Sequence, residues 1–175
     1  MLGGALLVAK GTLIVVSDID LSLVPPATLL FALGMVGLHA RLEGRGGLLG
    51  IIGVFVVWAA VGASVVNLVG LALNIPTPGD LDAPILLQVT YTVAFFAIVI
   101  GLLALGIAAS GAEVLSPPSR AVTLAVGVLW FPLQGIGFAI SYGVGLILGG
   151  LAWVLLGHVL WSGSATPAEQ PSRVR

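Results

Sequence analysis

Arg41-Leu-Glu-Gly-Arg-Gly-Gly47 is a short charged link between two long apolar runs. Its side of the membrane fixes the side of every other loop. Of the 175 residues, 59% are hydrophobic and 7% are charged, with a mean hydropathy of +1.21. Soluble domains carry about 25% charged residues. So few charges cannot cover a water-facing surface, so lipid is the expected solvent for most of the chain. The net charge of −1 and the lack of a basic cluster point away from nucleic acid and from a strong anionic-lipid patch. With no cysteine, disulfides, thiolate metal sites and cysteine nucleophiles are excluded.

Charged residues cut the chain into apolar runs, and a spanning helix needs roughly 20 apolar residues. Met1 to Ser17 is apolar except for Lys10. It lacks a basic leader and a small-residue cleavage site, so a retained span is expected over 2–17. Val24-Pro-Pro-Ala27 opens a second span over 23–40, with its prolines in the first turn, where they are tolerated. A third span covers 48–73 and ends at the breaker cluster Asn74-Ile-Pro-Thr-Pro-Gly-Asp80. A fourth covers 84–109. The last run, Ala121 to Trp161, is about 60 Å of helix if unbroken, twice the hydrocarbon thickness. Phe131-Pro-Leu-Gln-Gly-Ile-Gly137 offers breakers. The expectation is a short span over 121–134, with a re-entrant arrangement as its alternative, and a sixth span over 140–161. The polar tail, 163–175, is expected to be disordered and cytoplasmic.

This predicts an all-α, polytopic transmembrane bundle of six spans, with residues 1–162 as its one helical domain. With the Arg41–Gly47 link placed inside by the positive-inside rule, Arg45, Arg120, Arg173 and Arg175 also fall inside. Asp18, Asp20, Asp80 and Asp82 fall outside, and both termini are cytoplasmic. A prokaryotic source makes the expected location the plasma (cell) membrane.

Lys10 is the one charged side chain placed within a span. A lysine near mid-bilayer costs about 2.5–3.5 kcal/mol on insertion scales. The expectation is a short first helix from which Lys10 snorkels toward the cytoplasmic headgroups. The alternative is a coupling, gating or partner-binding charge. No Asp or Glu lies inside a span to pair with it.

A second group is polar and uncharged. Asn67, Gln88, Thr90, Tyr91, Thr92, Gln134, Ser141 and Tyr142 are all assigned to the outer leaflet. Packing through interhelical hydrogen bonds, about 0.6 kcal/mol each, is the expected role, and an outward-facing polar cavity is the alternative. Gly145 and Gly149, continued by Trp153 and Gly157, form a small-residue row in span 6; Ala59, Ala63 and Asn67 form another in span 3. Such rows let backbones approach closely, within one chain or between chains. His39 and His158 lie near cytoplasmic helix ends and fall short of a metal site as a pair. Trp161 suits an interfacial anchor. Hydrolase, zinc-protease, phosphate-loop and dinucleotide motifs are missing, and no cofactor is expected.

Gly34-Met-Val-Gly-Leu-His-Ala-Arg-Leu-Glu-Gly-Arg-Gly-Gly-Leu-Leu-Gly50 and Gly149-Gly-Leu-Ala-Trp-Val-Leu-Leu-Gly-His158 resemble uncharacterised prokaryotic six-span membrane proteins. The likeness lies in glycine spacing and loop charge, and implies no activity and no site residues. The chain departs from that pattern by opening almost directly in span 1, which leaves room for an upstream start. The expected function is a non-enzymatic helical bundle, acting as a partner subunit or a homo-oligomer. The alternative is a small-solute or ion transporter with Lys10 and the outer-leaflet polar group along its path.

Overall fold

The structure is a computed structural model, and it describes residues 1–42, 44–76, 82–113 and 115–162. Glu43, residues 77–81 with Asp80, Val114 and the tail 163–175, with the expectation of a disordered tail, lie outside the described residues. Among the described residues there are six helices: α1 Leu2–Ser17, α2 Val24–Leu42, α3 Gly47–Ala72, α4 Ile85–Gly111, α5 Pro117–Ile140 and α6 Tyr142–Ser162. The last four are long and apolar enough to cross a membrane. Helix α1 is apolar and shorter, and the prolines, His39 and Arg41 dilute α2.

Helix α1 packs on α2 and α6, α2 on α4, α4 on α5, and α5 on α6, which closes a five-helix ring. Helix α3 lies outside it, against α4 and α2. Its outward face carries Leu48, Ile51, Phe55, Trp58 and Val69, all exposed. In water this stripe would be an aggregation hazard; against acyl chains it is the expected surface.

Glycine permits the tightest contact. Helices α1 and α6 run antiparallel with Gly4 against Gly150 and Gly11 against Gly143. A Cβ at Gly4 would lie 2.5 Å from the Gly150 carbonyl oxygen, and one at Gly150 would lie 2.6 Å from that of Gly4. Backbones that close exchange dispersion and Cα–H···O contacts directly. The link after α2 turns through Gly44 and Gly47, both at positive φ, which a glycine adopts at little cost.

Two expectations are corrected here. The fifth helix does not stop at Gln134: α5 continues through Pro132 to Ile140, and the break falls at Ser141, whose backbone is extended. Pro132 lacks a ladder hydrogen bond but points outward, and Gly137 is buried at 2.5 Å from Gly145 Cα, measured to an ideal Cβ. That glycine serves close packing and not a turn. The re-entrant alternative falls with the short helix, because α5 has 24 residues. In α3, Ala59 is exposed; the buried row is Gly53, Val57, Ala60, Ser64 and Asn67, with Ala63 beside it. Alanine, glycine and serine occur on several faces of α3, so spacing alone placed Ala63 and Asn67 on the buried side but misplaced Ala59.

Candidate functional site

The loop after α1 does not project away from the bundle. Asp18 ends α1 in the left-handed conformation, and Ile19 donates back to Leu13 at 3.3 Å. The chain then doubles back beside α1. Lys10 meets it: its ammonium pairs with the Asp20 carboxylate, donates to the Leu21 carbonyl at 2.8 Å, and sits 5.8 Å from the Tyr142 ring centroid. That last spacing is within cation–π range. Lys10 is thus neutralised from a loop and reaches toward the aspartate end of the bundle. The expected snorkel toward the arginine end is overturned; the acid that pairs with Lys10 lies in the loop after α1 and not inside a helix.

Beside Tyr142 lies a cavity of about 290 Å³. Helices α2, α4, α5 and α6 supply most of its wall, with Leu7 from α1. Its rings are tiered. Phe138 stacks on Tyr142 at 5.7 Å, and Phe95 lies 5.3 Å from Trp130. Trp130 meets Trp153 edge to face at 6.0 Å, and Trp153 stacks on Phe31 at 4.2 Å. Phe31 also borders a second cavity of about 370 Å³ toward the other end, beneath Met1 and beside Leu38 and Leu160. Phe31 thus lines both hollows, while Trp153, stacked on it, lines only the second.

Two polar groups in the first cavity's wall are buried without partners: the indole N–H of Trp130 and the side-chain carbonyl of Gln134. Both residues are at least nine-tenths buried, at 3% and 5% exposed. The Trp130 indole nitrogen and the Gln134 amide nitrogen, rather than its carbonyl, pack over Gly149. An ideal Cβ there would lie 3.1 Å from Trp130 Nε1 and 2.8 Å from Gln134 Nε2. Gly149 leaves the room that these groups occupy. An orphaned buried donor or acceptor costs about 1–3 kcal/mol.

Comparison with protein-family models, with curated proteins and with solved structures found no match.

The sequence-selected polar residues divide. Tyr91, Thr92, Gln134 and Tyr142 line the cavity. Asn67 does not: its amide donates to Ala63 O at 2.9 Å and Thr90 Oγ1 at 3.1 Å, joining α3 to α4. Gln88 donates to Ala83 O at 2.9 Å, and Ser141 Oγ accepts from the Val144 N–H at 3.2 Å, so both finish helix starts. Asn67 and Thr90 thus make an interhelical hydrogen bond of the kind the packing role expects, and the cavity alternative takes in neither of them, nor Gln88 nor Ser141. Gly145 packs on Phe138 and Gly149 beneath Gln134, so that row joins α6 to α5 within one chain. Gly157 faces Met1 instead. Arg41 donates to the Leu160 carbonyl at 3.1 Å, tying α2 to the end of α6, and Arg120 donates to Leu115 O at 2.7 Å. His39 is half-buried on α2 and His158 is exposed on α6. Sequence reasoning missed Phe31, Phe95, Trp130, Trp153 and Asp20 as site residues. A signal existed for the tryptophans: both lie well inside their helices, away from the interface where that residue usually anchors.

Proposed function

We propose that this is a six-span protein of the cell membrane, with both termini cytoplasmic, that binds a small solute inside its helical ring and passes it across the bilayer. The reading is non-enzymatic. One observation carries it: a cavity walled mostly by aromatic and aliphatic side chains also carries the polar side chains of Thr28, Tyr91, Thr92, Gln134 and Tyr142. Ligand pockets commonly have this composition, mostly apolar with a few placed polar groups. The second hollow, which shares Phe31 with the first, supports passage over storage.

The six-span part rests on packing. Helix α1 follows α6 backbone to backbone, so a crossing α6 keeps α1 in the bilayer beside it. Helix α2 is held by α1, α3 and α4. Orientation rests on the arginines of the α2–α3 and α4–α5 links, by the positive-inside rule.

The partner-subunit and homo-oligomer reading loses its strongest motif, because Gly145 and Gly149 are consumed within the chain. The resemblance to uncharacterised six-span proteins is compatible with either reading.

Liposome reconstitution tests transport. The chain should speed the entry of at least one labelled solute from a panel of neutral, cationic and anionic compounds. Gly149→Leu, which drives a side chain against Gln134 and Trp130 of the cavity wall, should abolish that gain. Entry at the rate of empty liposomes across the whole panel removes the transport reading.

A further inference from the structure

We infer that the hollow between α2 and α6 holds one acyl chain of a phospholipid, with the lipid phosphate at Arg41. This goes beyond solute binding in the first cavity and rests only on the reading of α2 and α6 as membrane-crossing helices. Helices α2 and α6 both pack on α1 and make no comparable contact with each other. Between them lies the cavity of about 370 Å³, walled by Leu30, Met35 and Leu38 of α2, Leu156 and Leu160 of α6, and Leu102 of α4. It opens to its surroundings: Gly34 and Trp161 also line it, and both are exposed, the tryptophan at 78%. Arg41, exposed in the last turn of α2, donates to the Leu160 carbonyl at 3.1 Å, so a positive charge stands at the rim.

The wall decides what fits. It carries no charged side chain, and its only polar side-chain groups are the indole N–H of Trp153 and of Trp161. Apolar hollows of this kind stay dry. A peptide segment would bring backbone donors and acceptors that such a wall leaves unpaired, the cost that keeps irregular backbone out of lipid-exposed depth. The tail offers no apolar run to fill it, since Val174 is the only large aliphatic residue in 163–175. A helix of a second copy is too wide. From Trp153 to Trp161 is about 12 Å of helix, and a helix about 10 Å across fills roughly 900 Å³ over that length. An acyl chain is narrow and needs no hydrogen bond. The hydrocarbon of one leaflet is about 15 Å deep, close to the length of the hollow. A chain lying along it therefore brings its phosphate to the rim, where a guanidinium suits phosphate oxygens. Such a chain fills the hollow that solute passage would use, so lipid occupancy and passage compete.

The full chain in phosphatidylcholine nanodiscs tests this, doped with phosphatidylglycerol that carries a diazirine at the end of one acyl chain. Light fixes the chain where it lies, and peptide mass spectrometry maps the adducts. Met35, Leu102 and Leu156 are each 2% exposed and line the hollow, so adducts there report entry into it. Phe55 and Trp58 face outward on α3 and report ordinary lipid contact. Adducts in both sets are expected. Gly34→Leu should cut the first set about tenfold, because a side chain and an acyl chain cannot share one space. Gly37→Leu, on the same helix but outside the hollow, should leave that set unchanged. A Cβ at either glycine meets nothing within 4 Å, so both variants are expected to fold. Diacylglycerol with the same labelled chain lacks the phosphate, and Arg41→Gln lacks the cation. Each should lower the first set about fivefold, the weight of one basic residue near a lipid surface. Adducts at Phe55 and Trp58 alone overturn the inference, as they would if a second copy or another stretch of chain filled the hollow. An equal effect of the two glycine variants overturns it too. Undiminished labelling both by diacylglycerol and in Arg41→Gln overturns the phosphate assignment. No adduct in either set sinks the membrane-crossing reading as well, which adducts on α3 alone leave standing.

Discussion

Lys10 and Asp20 form an ion pair of unequal burial: the lysine side chain is 6% exposed and the aspartate 61%. The two partners therefore differ in what they leave behind. Asp20 without Lys10 is a carboxylate at a surface. Lys10 without Asp20 is an ammonium held in the bundle by one carbonyl and one ring.

Asp20→Ala is accordingly expected to cost more stability than Lys10→Met. Removing one partner of a buried pair is strongly unfavourable, whereas replacing a buried charge with a well-packed apolar chain is often near neutral. The expected gap is about 1–3 kcal/mol, the cost of a poorly satisfied buried polar group. Thermal unfolding in detergent, followed by circular dichroism, reads the order directly. The reverse order would mean that the pair acts through the loop and not through the buried charge. Lys10→Met should still insert and fold.

Glycine contacts give a second ordering. Gly150→Ala places a methyl 2.6 Å from the Gly4 carbonyl oxygen and 2.9 Å from the Val8 backbone nitrogen. Overpacking of this kind costs about 1–3 kcal/mol. Gly34→Ala and Gly62→Ala meet nothing within 4 Å and should be neutral, or stabilising by up to about 1 kcal/mol, as alanine generally is in helices. Equal unfolding temperatures for all three variants would argue against close approach of α1 and α6.

The natural absence of cysteine makes topology measurable with little background. Ser17→Cys and Ser141→Cys should react with a membrane-impermeant maleimide on intact cells. Ser116→Cys and Ser162→Cys should react only after lysis. All four serines are exposed, and the change is nearly isosteric. Labelling of Ser162→Cys on intact cells would contradict six spans with an internal C-terminus.

Pro132 breaks one rung of the α5 ladder without ending the helix. Pro132→Ala restores the missing N–H toward the Val128 carbonyl. About 1 kcal/mol of stabilisation is expected, the usual net worth of a backbone hydrogen bond. An unchanged or lower unfolding temperature would mean that the Val128 carbonyl is already satisfied in another way.

Much of the helical layout was legible from residues alone, because apolar runs between charges leave little choice in a bilayer. The expected first helix matches α1, and spans 2 to 4 and 6 agree with the observed helices to within about two residues at each end. Legibility failed where one residue type serves two purposes. Gly135 and Gly137 looked like turn formers; Gly137 instead lets α6 approach, and lipid favours keeping the ladder of α5 intact around Pro132. Lys10 looked unpaired because its acid lies ten residues on, in a loop whose return beside α1 has no local signature. Half of the cavity's polar wall was visible as outer-leaflet Tyr, Thr and Gln. Its phenylalanine and tryptophan wall was not, since Phe31, Phe95 and Trp130 come from three helices that only the ring brings together.

The pairing of α1 with α6 also sets an order for biogenesis. Gly4 and Gly11 emerge from the ribosome well before their counterparts Gly150 and Gly143. Until then, the opening helix has its loop to neutralise Lys10 and α2 at one flank, but no partner for its glycine face. Contacts so distant in sequence form late, and exposed faces invite wrong partners while they wait. A stalled or truncated chain that lacks α6 would carry an unsealed ring, which makes the arrival of α6 the step that closes it.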